Sequence, residues 1–393
     1  ATGLWMAGSF IAQPGDMFVP IGMAVISLLT ASLSVEPFLY AALLIEIAVL
    51  ISVPLMAPLG QPAGRGVFRF LAFQTFGVLF ILFTGWMLAG VEASPGDLQL
   101  VGLASALLGL GFVFLLGIFP FHTWIPMIAK ESHPYISAFI FFVFPFVISL
   151  FALGFFDRYV WLRDAESVYV FIRTVGALMV FVGGLWALFE SHLGKILGFA
   201  VLMETGLMLV TIGIGTAEGL NLYFMLILPR LISLLFWAIA LSIISKLTAN
   251  NYTLSAIHGF GKQHPIPIGL LIVSQLSLAG LPLLAGFPVK VSLWSELSSI
   301  SFPITLLVLL GNVFFFGSSL KVLHHSISED ANSTDNRQSL LRLKTATIVS
   351  ENPYILLFTL IFAVLIIIAI GLFPNSIQQA LINLPLMFEH LGP

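Results

Sequence analysis

The chain has 393 residues, 59% of them hydrophobic and only 8% charged, and its mean hydropathy is +1.09. Soluble domains carry about 25% charge, so the composition excludes an ordinary soluble protein and implies a polytopic membrane protein. The formal net charge of -3, without a basic run, gives no support to nucleic-acid binding, and the lack of cysteine excludes disulfides, thiolate metal sites and iron–sulfur ligation by this chain.

Residues 1–16 read as a short N-terminal segment closed by a Pro14-Gly15-Asp16 turn, without the features of a signal peptide. Stretches of about 20 apolar residues, the length that crosses a bilayer, then recur at 17–34, 37–58, 66–91, 98–119, 134–155, 168–189, 196–215, 220–247, 266–299, 303–326 and 354–373. The predicted fold is all-α with eleven transmembrane helices. Arg65, Arg69, Lys130, Lys195, Lys246, Lys262, Lys321, Arg337, Arg342 and Lys344 collect at one end of these spans, and only Arg158, Arg163 and Arg173 at the other. The cation-rich end is therefore the cytoplasmic one, and the first span starts there. Residues 327–352 form a polar cytoplasmic linker. In the last segment, 353–393, a final span precedes 377–391, which reads as an interfacial amphipathic helix or as a tail packed on the protein.

Within the spans, 266–299 is interrupted by Gly280, Pro282, Gly286 and Pro288, with Lys290 directly after. Proline removes an N–H and clashes with the preceding turn, and lipid tolerates such a break only where protein or water satisfies the freed groups. Glu46, Glu204 and Arg230 are the other ionisable groups within spans. On insertion scales each costs about 2.5–3.5 kcal/mol at the bilayer centre, a cost that usually marks burial, pairing or ion transport. The bland readings stay open: Glu46 pairs with a cation to lock two helices, and Arg230, after Pro229, snorkels or serves structure. Pro120 and Pro126 break a second region around His122, which reads equally as a proton relay or as a helix-end residue. His192 and Lys195 can form an entry funnel or simply follow the positive-inside rule. His324-His325 reads as solvated, and no spacing suggests a metal site. There is no phosphate loop, dinucleotide fingerprint or activated nucleophile.

The segment PFHTWIP followed by KES and by Ser137-Ala138 resembles the PFHTWLPDAHxEAPxxxSA element of the antiporter-like subunits of respiratory complex I. Mrp cation/proton antiporter subunits and the membrane arms of group 4 hydrogenases belong to the same family. LLIEIAVL around Glu46, HLGKILGFAVLMETG around Glu204, GLPLLAGFPVK ending at Lys290, and IAIGLFP at 368–374 resemble further family motifs. The resemblance implies two inverted five-helix repeats, 17–155 and 168–326, each with one broken helix, plus a final helix. It maps the chain onto the family's helices four to fourteen. Two departures stand out. Leu115 and Phe146 occupy positions where the family usually has lysine, and Glu204 replaces a relay histidine.

The family reading implies a proton-translocating, antiporter-like membrane subunit of a complex I-type NAD(P)H:quinone oxidoreductase or related redox complex. The chain itself would be non-catalytic, sitting in a bacterial plasma membrane or an equivalent energy-converting membrane. Quinone, flavin and iron–sulfur clusters would lie in partner subunits. Lys290 would be the exit-side carrier, Glu46 the coupling acid, Glu204 with Lys195 a cytoplasmic-side relay, and His122 a secondary relay. Two alternatives accompany it: a non-conducting structural subunit, favoured by Leu115 and Phe146, and an Mrp-type sodium/proton antiporter subunit.

Overall fold

A backbone surrounded by hydrocarbon must satisfy its own N–H and C=O groups, so each apolar stretch folds as a helix. The computed structural model describes residues 2–57, 62–93, 98–328, 353–381 and 383–391, which are helical with short connections. The chain begins with α1 (Thr2–Ala12), then α2 (Phe18–Ser32), α3 (Phe38–Met56), α4 (Arg65–Ala93) and α5 (Leu98–Leu115). After a break come α6 (Trp124–Glu131), α7 (Pro134–Arg158) and the short α8 (Val160–Arg163). The second run is α9 (Glu166–Phe189), α10 (Leu193–Ile212), α11 (Ala217–Leu247), the short α12 (Phe260–Gln263), α13 (Pro265–Ala279), α14 (Phe287–Ile300) and α15 (Phe302–Ile327). It ends with α16 (Pro353–Leu372) and α17 (Pro374–Leu381).

Among the described residues, eight helices are long and apolar enough to cross a membrane. The eleven expected spans are these eight, the 15-residue α2, and two spans each assembled from half-helices, α5 with α6 and α13 with α14. The first of those two differs from the continuous 98–119 drawn from hydropathy. Its helix stops at Leu115 and resumes at Trp124. Residues 1–16 also hold more than a turn. Within α1, Trp5 is fully buried, with its ring 5.2 Å from Tyr135 and 5.7 Å from Phe139. Eleven residues are too few to register as a span, yet one aromatic anchor suffices to dock them.

The core sits on α10, 94% of whose apolar window is buried, against 22% for α16. Close approach of α9 and α10 depends on Gly176 and Gly206. A β-carbon on either would stand 2.6–2.7 Å from the other's carbonyl oxygen. Among the described residues, several cations stay at the ends expected for them. Lys246 donates to Gln13 (2.8 Å) and Arg69 to Thr123 (3.3 Å), while Lys321 bonds the Leu188 and Glu190 carbonyls (2.9 and 2.8 Å). At the opposite end Arg158 pairs with Glu36 (3.8 Å), and Arg163 donates to the Asp157 carbonyl (3.0 Å). The tail packs back at this second end. The backbone N–H groups of Glu389 and His390 donate to the Asp157 carboxylate, and Phe388 meets Phe224. The amphipathic helix is thus confined to α17, and residues 383–391 lie on the protein. The expected linker falls outside the described residues from 329 to 352.

Candidate functional site

Helix α13 ends at Gly280, whose φ of +81° suits a residue without a β-carbon. Leu281 N–H bonds back to Leu276 (3.0 Å) and Gly280 N–H to Ser277 (3.2 Å), a helix-ending pattern that leaves the Leu278 carbonyl free. Lys290, early in α14, turns back along this break. Its side chain is 1% exposed, and a β-carbon on Gly280 would stand 3.0 Å from its Cδ. The ammonium donates to Glu204 Oε1 (3.0 Å), to Asn312 Oδ1 (3.0 Å) and to the freed Leu278 carbonyl. Three donors thus meet three acceptors. Asn312 is itself held by an Nδ2–H bond to the Val308 carbonyl (2.8 Å), which leaves its oxygen for the lysine. Sequence reasoning selected Lys290 and Glu204 separately and missed Asn312. The available signal was an asparagine in the middle of the apolar run LLVLLGNVFFFG.

Arg230 is 2% exposed and does not snorkel. Its Nη2 donates to the Phe141 carbonyl (3.0 Å) and to Thr205 Oγ1 (3.2 Å), and its Nη1 meets the Met208 sulfur. Phe141 lies four residues before Pro145 in α7, so its carbonyl has no helical N–H to accept from. Arg230 fills that gap and ties α11 to α7 and α10. Thr205 is the neighbour of Glu204 in α10.

The first break repeats the second in backbone but not in side chains. Ile118 N–H bonds to Val113 (2.9 Å) and Gly117 N–H to Phe114 (3.2 Å), and Gly117 has a φ of +61°. The freed carbonyl, that of Leu115, accepts from Gln74 Nε2 (2.9 Å). The space beside Gly117 is filled by Trp124, whose indole nitrogen would lie 2.9 Å from a β-carbon there. Phe70 packs at a tilt against Trp124 (5.0 Å) and Phe114 against Phe121 (4.5 Å), while Phe146 of α7 stacks on Phe142 (5.9 Å). Leu115 is 2% exposed inside this apolar packing.

Glu46 accepts a hydrogen bond from Thr75 Oγ1 (2.6 Å), while its Oε2 is buried with no protein partner. Among the described residues it forms no salt bridge. It stands beside a row of exposed apolar side chains, Leu43, Ile47 and Leu50. The site therefore does not bring Glu46 to Lys290 or to any described cation. His122 sits in a single helical turn between the half-helices, stacked on Phe119 (5.4 Å), with Nδ1 buried and unpartnered.

Lys195 pairs with Glu190 (3.1 Å) rather than with Glu204, nine residues further along the same helix and so about 13 Å away along its axis. Burial pushes the Glu190 carboxyl up, but the Lys195 ammonium and the backbone N–H groups of Ser191 and His192 outweigh it and hold Glu190 below its ordinary value. Glu131, from the KES element, is a helix cap: its Oε2 accepts from Gly66 N–H (2.7 Å) at the start of α4. Gly371, from the GLFP element, packs directly on the break, where a β-carbon would stand 2.8 Å from the Leu284 carbonyl carbon. Among the described residues, no group of three or more His, Asp or Glu is placed to hold a metal ion.

A family model described as NADH:quinone oxidoreductase/Mrp antiporter, transmembrane, matches residues 96–315. The NADH-quinone oxidoreductase subunit N of Flavobacterium psychrophilum is 21% identical over 273 residues, 69% of this chain and 56% of that protein. The chain spans little more than half the length of the curated relatives it matches. Among solved structures, a chain of the Mrp complex from Dietzia sp. aligns with a TM-score of 0.69 at 16% identity, covering 93% of this chain and 82% of that one. A chain of respiratory complex I from Thermus thermophilus aligns with the same TM-score at 19% identity, covering 96% and 84%. At these identities the structural likeness concerns the fold.

Proposed function

Since the chain belongs to the NADH:quinone oxidoreductase/Mrp antiporter transmembrane family, we propose that it is a proton-carrying, antiporter-like membrane subunit of a complex I-type redox assembly. In this reading it lies in a bacterial plasma membrane or its equivalent and moves protons in step with electron transfer elsewhere. Quinone, flavin and iron–sulfur clusters belong to partner subunits. Lys290 is the carrier, and Glu204 and Asn312 hold its charged form. The observation that supports this is an ammonium sealed in the membrane interior by one carboxylate, one amide and one carbonyl freed by a helix break. When its carboxylate partner moves or takes up a proton, the ammonium is left as an uncompensated buried charge, which favours passing its proton on. Glu46, open to an exposed apolar face, is the coupling acid toward a neighbouring subunit. Arg230 positions helices and does not carry. His122 and Lys195 remain peripheral relays. Lys290→Met in the assembled complex, reconstituted in vesicles, should abolish proton transfer by this subunit. Unchanged pumping per electron would refute the carrier role.

A second reading, a subunit that keeps the fold without conducting, is favoured by the aromatic filling around Leu115 and Trp124. Under that reading Lys290→Met alters stability and assembly but leaves the pumping stoichiometry unchanged.

A further inference from the structure

At the end of the bundle opposite the cytoplasmic cations, a cavity of about 450 Å³ opens between α5 and α7 on one side and α9 and α10 on the other. Phe112, Val113, Phe155, Phe171 and Leu209 line it. Its serines are engaged by the protein: Ser105 bonds the Val101 carbonyl (2.9 Å), and Ser149 the Phe146 carbonyl (2.8 Å) and the Tyr223 hydroxyl (2.6 Å). Along α5 the cavity runs from Gly102 to Leu116, about 20 Å at a rise of about 1.5 Å per residue. That is roughly half of the ~40–45 Å of a bilayer with its headgroups, the depth of one leaflet. It stops where α5 stops, since Leu116 and Ile118, buried at the first break, line its deep end. A β-carbon on Gly102 or Gly109 would meet nothing within 4 Å, so the α5 wall is open at both points. A second cavity, of about 370 Å³, adjoins the first, and Phe156 and Ile212 line both. The α8 segment stands on the border. It gives Leu162 to the apolar cavity, and Arg163 with the following Asp164 to the second. Thr216 and Ala217, at the start of α11, also line the second cavity, where the first N–H groups of a helix have no partner within it.

We propose that these adjoining cavities hold one zwitterionic glycerophospholipid of the non-cytoplasmic leaflet, with an acyl chain along α5 down to Leu116 and its phosphate on Arg163. An apolar cavity is not a water site. An apolar slot that ends at a guanidinium admits a chain with an anionic head. Arg163 is held by one Nη1–H bond to the Asp157 carbonyl (3.0 Å), which leaves further donors of its five for the phosphate. Arg163 and Asp164 offer one positive and one negative group side by side. They complement a phosphate joined to an ammonium, as in phosphatidylethanolamine, better than a purely anionic head. A helix of a partner subunit is a poor occupant, because it would cross the ~30 Å hydrocarbon core whereas this groove ends at the break. The bound chain touches both runs of helices. It wedges their seam and supports α10 at Leu209, five residues beyond Glu204. The inference does not depend on Lys290 carrying protons.

The test uses the assembled complex, purified in a mild non-ionic detergent without added lipid. Its density should show a tail between Phe112 and Leu209 and a headgroup peak at Arg163. Gly109→Leu fills the groove without a clash, so it should assemble and, by native mass spectrometry, retain one phospholipid fewer per copy. Arg163→Gln should lose that lipid about tenfold faster on washing with detergent, the scale of one hydrogen bond to a charged group. After such washing, vesicles of phosphatidylethanolamine should restore the retained lipid to the wild type, and vesicles of phosphatidylglycerol should restore less. A protein helix in the groove, detergent there as an adventitious additive only, or full lipid retention in Gly109→Leu overturns the proposal. Unchanged retention in Arg163→Gln, or equal recovery from phosphatidylglycerol, overturns the headgroup assignment. If Gly109→Leu fails to assemble, Gly102→Leu fills the same groove, and the wild-type density decides.

Discussion

The two broken helices solve one backbone problem with opposite chemistry. Each upstream half-helix ends at a positive-φ glycine, Gly117 or Gly280, and each leaves free the carbonyl two residues earlier, Leu115 or Leu278. Each downstream half restarts at a phenylalanine N–H bonded three residues back, Phe121 to Ile118 and Phe287 to Leu284. Three residues further on stand Trp124 and Lys290, each lying against its glycine. At the first break a neutral glutamine satisfies the carbonyl and an indole fills the space. At the second, one lysine does both. The break itself is therefore not a transport signature. What makes the second half a charge site is the residue three positions after the restart, together with Glu204 and Asn312 facing it.

The largest expected effect tests that contrast at the charged break. Glu204→Gln leaves a buried ammonium without its counter-charge, and breaking a buried pair costs about 3–5 kcal/mol. Thermal unfolding of the purified protein in detergent should register a large fall in melting temperature. The double variant Glu204→Gln/Lys290→Met should recover much of the stability, because no unpaired charge remains, yet transfer no protons. A Glu204→Gln single variant as stable as the parent would mean that Lys290 is not held as a charged group by this carboxylate, and the contrast between the halves would narrow.

The neutral break should respond less. Gln74→Leu strands the Leu115 carbonyl in an apolar setting, at a cost of about 1–3 kcal/mol. Proton transfer should not change, because the Gln74 amide bonds only the Leu115 carbonyl and none of the groups assigned to proton exchange. A stable Gln74→Leu protein that no longer pumps would show the aromatic half to be part of the pathway after all.

Hydropathy made the eleven spans legible, since lipid leaves the backbone no alternative to the helix. The Gly-Pro content at 280–288 likewise marked the second break and its lysine. The cage around Lys290 was only half legible. Glu204 stood out by its charge, but Asn312 is one amide in a long apolar run, and the Leu278 carbonyl has no sequence signature. Glu131 and Gly371 lay in motifs whose resemblance was noted without their purpose. Capping α4 and admitting the Leu283–Leu284 turn depend on contacts far apart in the chain. Arg230 was ambiguous for the same reason, because the carbonyl it satisfies is orphaned by a proline in another helix. The equivalence of Trp124 and Lys290 was hidden because one is a bulky hydrophobe and the other a cation, and only backbone hydrogen bonds align them.

The smallest expected effect concerns the seam between the two runs of helices. His133 opens α7, where its Nδ1 accepts the N–H of Tyr135 (3.3 Å), so the imidazole must be neutral there. Burial, and after it the Lys246 ammonium of α11, push its pKa down to about 4 from an ordinary 6.5. The folded value lies below the unfolded one, so the unfolded chain takes up this proton first. The contribution of His133 is complete above pH 6.5 and is lost as pH falls toward 4. The melting temperature of the wild type should therefore drop over this window more than that of His133→Gln, in which the side-chain oxygen caps without titrating. The hydrogen bonds of the Lys290 cage come from α10, α13 and α15 and involve no histidine, so proton transfer measured with the cytoplasmic side between pH 7 and 6 should be the same in both proteins. A variant that keeps its acid stability but loses transfer would tie this cap to the charged half rather than to the seam.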